Sequence, residues 1–132
     1  MREKTPDKKN AFDIVEEARR QMNYTLTLQI DNNSAFTIVR NIYECFRMLG
    51  NAVLVSQGKQ ATDHIDMIGA LLKLDVNTRR PISTIDNLRR MRHRINYYGY
   101  HPSLAEAKDS VDIAIACFEP LFDAVKKQIE HS

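Results

Sequence analysis

Glycine and proline are scarce in this chain, four of each in 132 residues. An all-β protein draws on both to make its many tight turns, so this composition leans towards helix. Cysteine is scarcer still. Cys45 and Cys117 lie far apart inside apolar helical patterns, with no CxxC and no Cys/His ligand spacing. That argues against a disulfide framework or a structural zinc site and leaves two buried free thiols as the expectation. No apolar run approaches the roughly 20 residues of a membrane span. The opening MREKTPDKKN is charged and lacks the apolar core of a secretory signal. The reading is a soluble cytoplasmic protein without a membrane, metal or cofactor.

The length suits one domain with a real core, and 43% hydrophobic with 27% charged residues is ordinary for a globular chain. A net charge of +2 is too small to argue for nucleic acid by itself. Its distribution is more telling. Arg79, Arg80, Arg89, Arg90, Arg92 and Arg94 place six of the nineteen basic residues in one sixteen-residue window whose only acid is Asp86. Such a window forms either a positive patch or a solvated helix face.

Residues 1–9 are polar and interrupted by Pro6, and are expected to form a disordered tail before a domain over 10–131. Phe12, Val15, Ala18 and Met22 recur at helical steps from Asn10 onward. NYTLTLQI alternates like a strand but has no partner, so it reads as a continuation of that helix. DNNS at 31–34 marks a turn and cap. A long helix follows from Ala35 to Gln57, with Phe36, Val39, Ile42/Tyr43, Phe46, Leu49, Val53 and Leu54 as its stripe and Gly58 as its stop. Asp63 caps a shorter helix with Ile65, Ile68, Leu71, Leu72 and Leu74 inward. After Pro81, Ser83 or Thr84 caps a fourth helix that ends at Tyr98–Gly99. Ser103 and Glu106 make a capping box for the last. Its stripe is Leu104, Val111, Ile115, Phe118, Phe122, Val125 and Ile129, interrupted by Pro120. The fold class is all-α: an up-and-down bundle of about five helices.

The fourth helix carries LRRMRHRINYYGYH, residues 88–101, with four arginines, two histidines and three tyrosines. On a helical wheel Ile85, Leu88, Met91, Ile95 and Tyr98 share an apolar sector, and Arg92 falls inside it. A guanidinium there needs a carboxylate such as Glu44 or Asp112, or a ligand phosphate, because an unpaired buried charge is too costly. Arg89, His93, Asn96, Tyr97, Tyr98 and Tyr100 add donors and stacking rings, a combination suited to single-stranded RNA. His64 and His131 read as incidental. Asp63, His64 and Asp66 read as helix capping rather than a metal cluster.

Three segments together resemble the HEPN domain family over about residues 10–130. IYECFRMLGNAVLVSQGK is similar to its second long helix, and HIDMIGALLKL to its short middle one. LRRMRHRINYYGYHPSLAEAKDSVDIAIACFEPLF is similar to its motif helix running into the final helix. The resemblance implies a compact helical bundle from toxin–antitoxin, defence or RNA-processing systems, often partnered by a nucleotidyltransferase. Active members carry Arg-x4-6-His and cleave RNA without metal as homodimers. Aligned on Arg92, with His93 in the polar slot, the histidine position falls on Tyr97, and a phenol is a poor base at neutral pH. A second frame pairs Arg94 with His101. The resemblance therefore implies an RNA- or nucleotide-binding homodimer with a degenerate site. The alternatives are a metal-independent endoribonuclease using Arg92 or Arg94 with His101, and an interaction bundle without catalysis.

Overall fold

A computed structural model describes residues 2–131. Two short strands, β1 (Arg2–Glu3) and β2 (Lys59–Gln60), and five helices make up its regular structure: α1 (Lys8–Thr25), α2 (Ala35–Ser56), α3 (His64–Leu72), α4 (Ile85–Tyr98) and α5 (Leu104–Glu130). The chain is an all-α bundle. α2 is its hub, packing on each of the other four helices, while α1 also meets α5. Among the described residues no helix is long and apolar enough to cross a membrane.

The main core follows from the apolar stripes of α1, α2 and α5. Val15, Ala18 and Met22 meet Ile38, Ile42, Phe46 and Leu49 from α2 and Leu121, Phe122 and Val125 from α5, all buried. Phe46 and Phe118 pack edge to face at 5.8 Å. Cys45 and Cys117 are buried free thiols, and burial pushes Cys45 up to about 12, out of the thiolate range. A second, smaller cluster of Ala35, Val39, Ile95 and Ala107 ties the C-terminal half of α4 to the starts of α2 and α5. Gly50 sits where α3 crosses α2; a Cβ there would lie 1.9 Å from the Met67 carbonyl oxygen.

Several boundaries differ from those expected. α1 begins at Lys8, two residues early, because Asp7 accepts a cap bond from the Asn10 N–H at 2.9 Å. The tail ahead of it was expected to be disordered. Its Met1 lies outside the described residues, while Arg2–Glu3 pairs antiparallel with Lys59–Gln60 and the Lys4 N–H donates to the Gly58 carbonyl. Gly58 is in the left-handed region, φ +72°, as a helix stop requires. NYTLTLQI continues as helix only through Thr25. Thr25 and Thr27 turn their hydroxyls back to the Gln21 and Tyr24 carbonyls, and the backbone tightens into three-residue turns at Tyr24–Leu28.

α3 is capped by Asp63, but Ile65 is 59% exposed, because only Ile68 and Leu71 of this short helix are buried. Neither Ser83 nor Thr84 caps α4 through its side chain. Instead Ile82–Thr84 forms a 3-10 turn leading into α4, and the Thr84 hydroxyl bonds the Pro81 carbonyl. α4 stops as expected at Gly99, φ +62°. Ser103 and Glu106 form both bonds of a capping box. α5 runs unbroken through Pro120. Its buried face follows Ala107, Ser110, Ala114, Cys117 and Leu121, so Ile115, one position off that face, is 61% exposed.

Candidate functional site

The basic window does not form an open positive patch, because most of its arginines have local partners. Arg79 and Arg80 bind Asp112 on α5, and Arg80 also binds Asp109 at 2.7 Å. Arg89 and Arg90 both reach Asp86 one turn earlier, at 2.7 and 3.1 Å. The Arg89 hydrogen bond holds the Asp86 carboxyl below its usual range against the opposing effect of burial. Arg94 lies 3.8 Å over the ring of Tyr100, whose hydroxyl donates to Glu106 of the capping box. Nε2 of His101 is 3.0 Å from the Asn32 carbonyl, at the turn before α2.

Arg92 differs from these. The nearest carboxylate is Glu44, as the wheel suggested, but at 3.7 Å, and Arg47 already grips Glu44 at 2.6 Å. The Arg92 guanidinium stands 5.4 Å over the ring of Tyr43, and its buried Nε has no hydrogen-bond partner among the described residues. The phenol of Tyr43, on the neighbouring helix, is also buried and unpartnered. Native interiors seldom leave two such groups side by side, since each costs about 1–3 kcal/mol without a partner.

Both residues line a cavity of about 330 Å3 between α2, the start of α3, and α4. Asp63, His64 and Ile65 enter it from α3, and Arg89, Arg92, His93 and Tyr97 from α4. Tyr43 is fully buried, the Arg92 side chain is 24% exposed, and Tyr97 is 73% exposed at the other extreme. Tyr97 lies 4.6 Å from the ring of His93, and His64 lies 5.9 Å from the ring of Tyr43. Burial, then Arg92 and Arg47, hold His64 below the usual imidazole range, outweighing Glu44 and Asp63. His64 is therefore a neutral imidazole at neutral pH. Burial pushes the Tyr43 phenol up to about 12, although Arg92 opposes this, so it keeps its proton. The cavity thus holds uncommitted donors and two imidazoles beside a guanidinium, a set suited to an oxyanion such as phosphate.

Of the residues singled out from the sequence, Arg89, Arg92, His93 and Tyr97 come together here. Arg94, Tyr100 and His101 do not line this cavity; they are engaged with one another's neighbours at the α4–α5 turn and at Asn32. Asn96 is exposed on the outer face of α4. Tyr98 was expected in the apolar sector but is 77% exposed, because it lies one position before the helix stop and beyond the Ile95 layer. Tyr43 and His64 were not anticipated as site residues. Tyr43 sits in a stripe that also holds Phe36 and Phe46, so only its hydroxyl sets it apart from a core aromatic. Among the described residues no group of three or more His, Cys, Asp or Glu side chains is placed to hold a metal ion. Compared with family models, curated proteins and solved structures, the chain matches none.

Proposed function

We propose that this chain is a HEPN-like, RNA-associated protein that binds RNA or a nucleotide in the cavity between α2, α3 and α4. In this reading it acts in the cytoplasm as a homodimer, within a toxin–antitoxin, defence or nucleotidyltransferase-partner system. The observation that carries the reading is Arg92: its buried Nε, 3.7 Å from a Glu44 carboxylate shared with Arg47, has no hydrogen-bond partner among the described residues, and neither has the Tyr43 hydroxyl. A bound phosphate would offer each an acceptor once the Arg92 side chain shifts to open them to the cavity. Tyr97 and His93 at the exposed edge offer faces for a base.

Fluorescence anisotropy with a labelled single-stranded RNA tests this. Binding is expected at low salt and weakens as salt rises, as phosphate contacts require. Arg92→Ala is expected to weaken it roughly tenfold or more, the scale of one charge-assisted hydrogen bond. Unchanged affinity in a folded Arg92→Ala protein would take RNA binding away from this cavity, and failure to bind RNA even at low salt would leave the interaction bundle.

The endoribonuclease reading is favoured by one feature, the presence of two imidazoles in the cavity with Arg92. In that reading proton transfer falls to His64 and His93, which line the cavity with Arg92, since His101 lies at the Asn32 carbonyl. Cleavage of RNA in EDTA that disappears in His64→Gln supports it. Loss only in His101→Ala would restore the Arg94–His101 frame.

A further inference from the structure

We infer that the cavity takes a terminal phosphate, a phosphomonoester dianion, in preference to an internal phosphodiester of the RNA backbone. The inference rests on the RNA- or nucleotide-binding reading above and names which part of the ligand enters. It begins with depth. The Tyr43 hydroxyl and Arg92 Nε, which have no hydrogen-bond partner among the described residues, are buried, whereas Tyr97 is mostly exposed. Donors therefore lie inward and an aromatic face outward, the order of a phosphate followed by its own base.

Size points the same way. At about 330 Å3 the cavity falls at the lower end of the roughly 300–1,000 Å3 range of small-molecule sites. That is room for one nucleotide. Proteins that hold internal phosphodiesters instead track the backbone along a groove, with the chain passing both ways.

Charge favours the dianion. Two of the nearby carboxylates are ion-paired, Glu44 with Arg47 and Asp86 with Arg89 and Arg90, while Asp63 keeps its charge as the cap of α3, accepting from the Asp66 N–H at 2.9 Å. Arg92 keeps a long ion pair, 3.7 Å, to the Glu44 carboxylate that Arg47 already holds, and His64 stands neutral beside it. Two negative charges brought to this point draw a proton onto His64, adding a second cation, where the single charge of a diester draws less. The Tyr43 hydroxyl, still protonated, donates to a phosphate oxygen.

The dianion could belong to an RNA end or to a free mononucleotide, and direct binding to the full chain separates these. The ligands are one short RNA bearing a 5′-phosphate, a 3′-phosphate or hydroxyls at both ends, together with adenosine monophosphate and adenosine. We expect one phosphate-ended RNA to bind roughly tenfold tighter than the hydroxyl-ended RNA. In Tyr43→Phe, which removes only a buried hydroxyl without a partner, that preference is expected to collapse. His64→Gln is expected to reduce it and provides a second variant outside the core.

Adenosine monophosphate binding without RNA binding assigns the dianion to a free nucleotide and still supports the inference. Equal binding of phosphate- and hydroxyl-ended RNA, with adenosine monophosphate no better than adenosine, overturns it while leaving the RNA reading intact. Binding of none of these ligands overturns both.

Discussion

α2 and α4 are both amphipathic, yet they are held in different ways. α2 buries thirteen of its 22 residues and touches every other helix. α4 buries three of 14, Ile85, Leu88 and Ile95, and packs chiefly on α2. Most of the rest of α4 is charged or aromatic: Asp86 pairs with Arg89 and Arg90, Arg94 stacks on Tyr100, and Arg92, His93 and Tyr97 line the cavity. A helix under so little apolar constraint is free to carry a site, provided a rigid neighbour fixes its position. Here α2 does so, and it also contributes Tyr43 to the floor of that site.

The sharpest way to break the contrast is to remove an anchor from each side. Phe46→Ala, at the centre of the α2 core, is expected to cost about 3–5 kcal/mol. Ile95→Ala, in the small cluster under α4, should cost only about 2 kcal/mol, because that cluster can relax towards solvent. Urea unfolding of both variants measures the difference. Equal losses would mean that α4 is as firmly packed as the centre.

Gly50→Ala probes the joint between the two regions. A methyl group there would strike the Met67 backbone, so α3 must move off α2 and carry Asp63 and His64 with it. About 1–3 kcal/mol of stability is expected to be lost, by overpacking. RNA affinity should fall as well, although no residue of the cavity has been changed. A variant with native affinity would show that α3 does not set the geometry of the site.

The smallest effect expected is electrostatic. The folded-state pKa of Asp86 lies below its unfolded value, chiefly through the Arg89 hydrogen bond. The stabilisation is therefore present above the unfolded pKa, near about 3.9, and is lost as pH falls through the folded-state pKa. Asp86→Asn should be less stable than the native chain at neutral pH, and the gap should close in acid. Urea midpoints at the two pH values read this directly, and a constant gap would remove the Arg89 pairing as its cause.

The fold was legible because its signals are local. The helical steps of Phe12 to Met22, the Ser103–Glu106 capping box and the Gly99 stop each lie within a few turns of chain. Arg92 was legible for the same reason, as a charge within the apolar sector of its own helix. The other half of the site was hidden, since Tyr43 and His64 reach it only through the packing of α2, α3 and α4. Within its own stripe Tyr43 is indistinguishable from a core residue, and His64 from an ordinary first residue of a capped helix. The helical reading of 23–30 failed beyond Thr25 for a comparable cause. Thr25 and Thr27 satisfy the carbonyls of the preceding turn with their hydroxyls, a competition that apolar spacing does not register.

The central claim is that the ligand enters between Tyr43, His64 and Arg92. Amide NMR of the full chain, titrated with single-stranded RNA at low salt, tests it most directly. The shifts are predicted to concentrate on Tyr43, Asp63–Ile65 and Arg89–Tyr97, and to disappear in Arg92→Ala. Shifts centred instead on Asn32, Tyr100 and His101, outside the cavity, would contradict it.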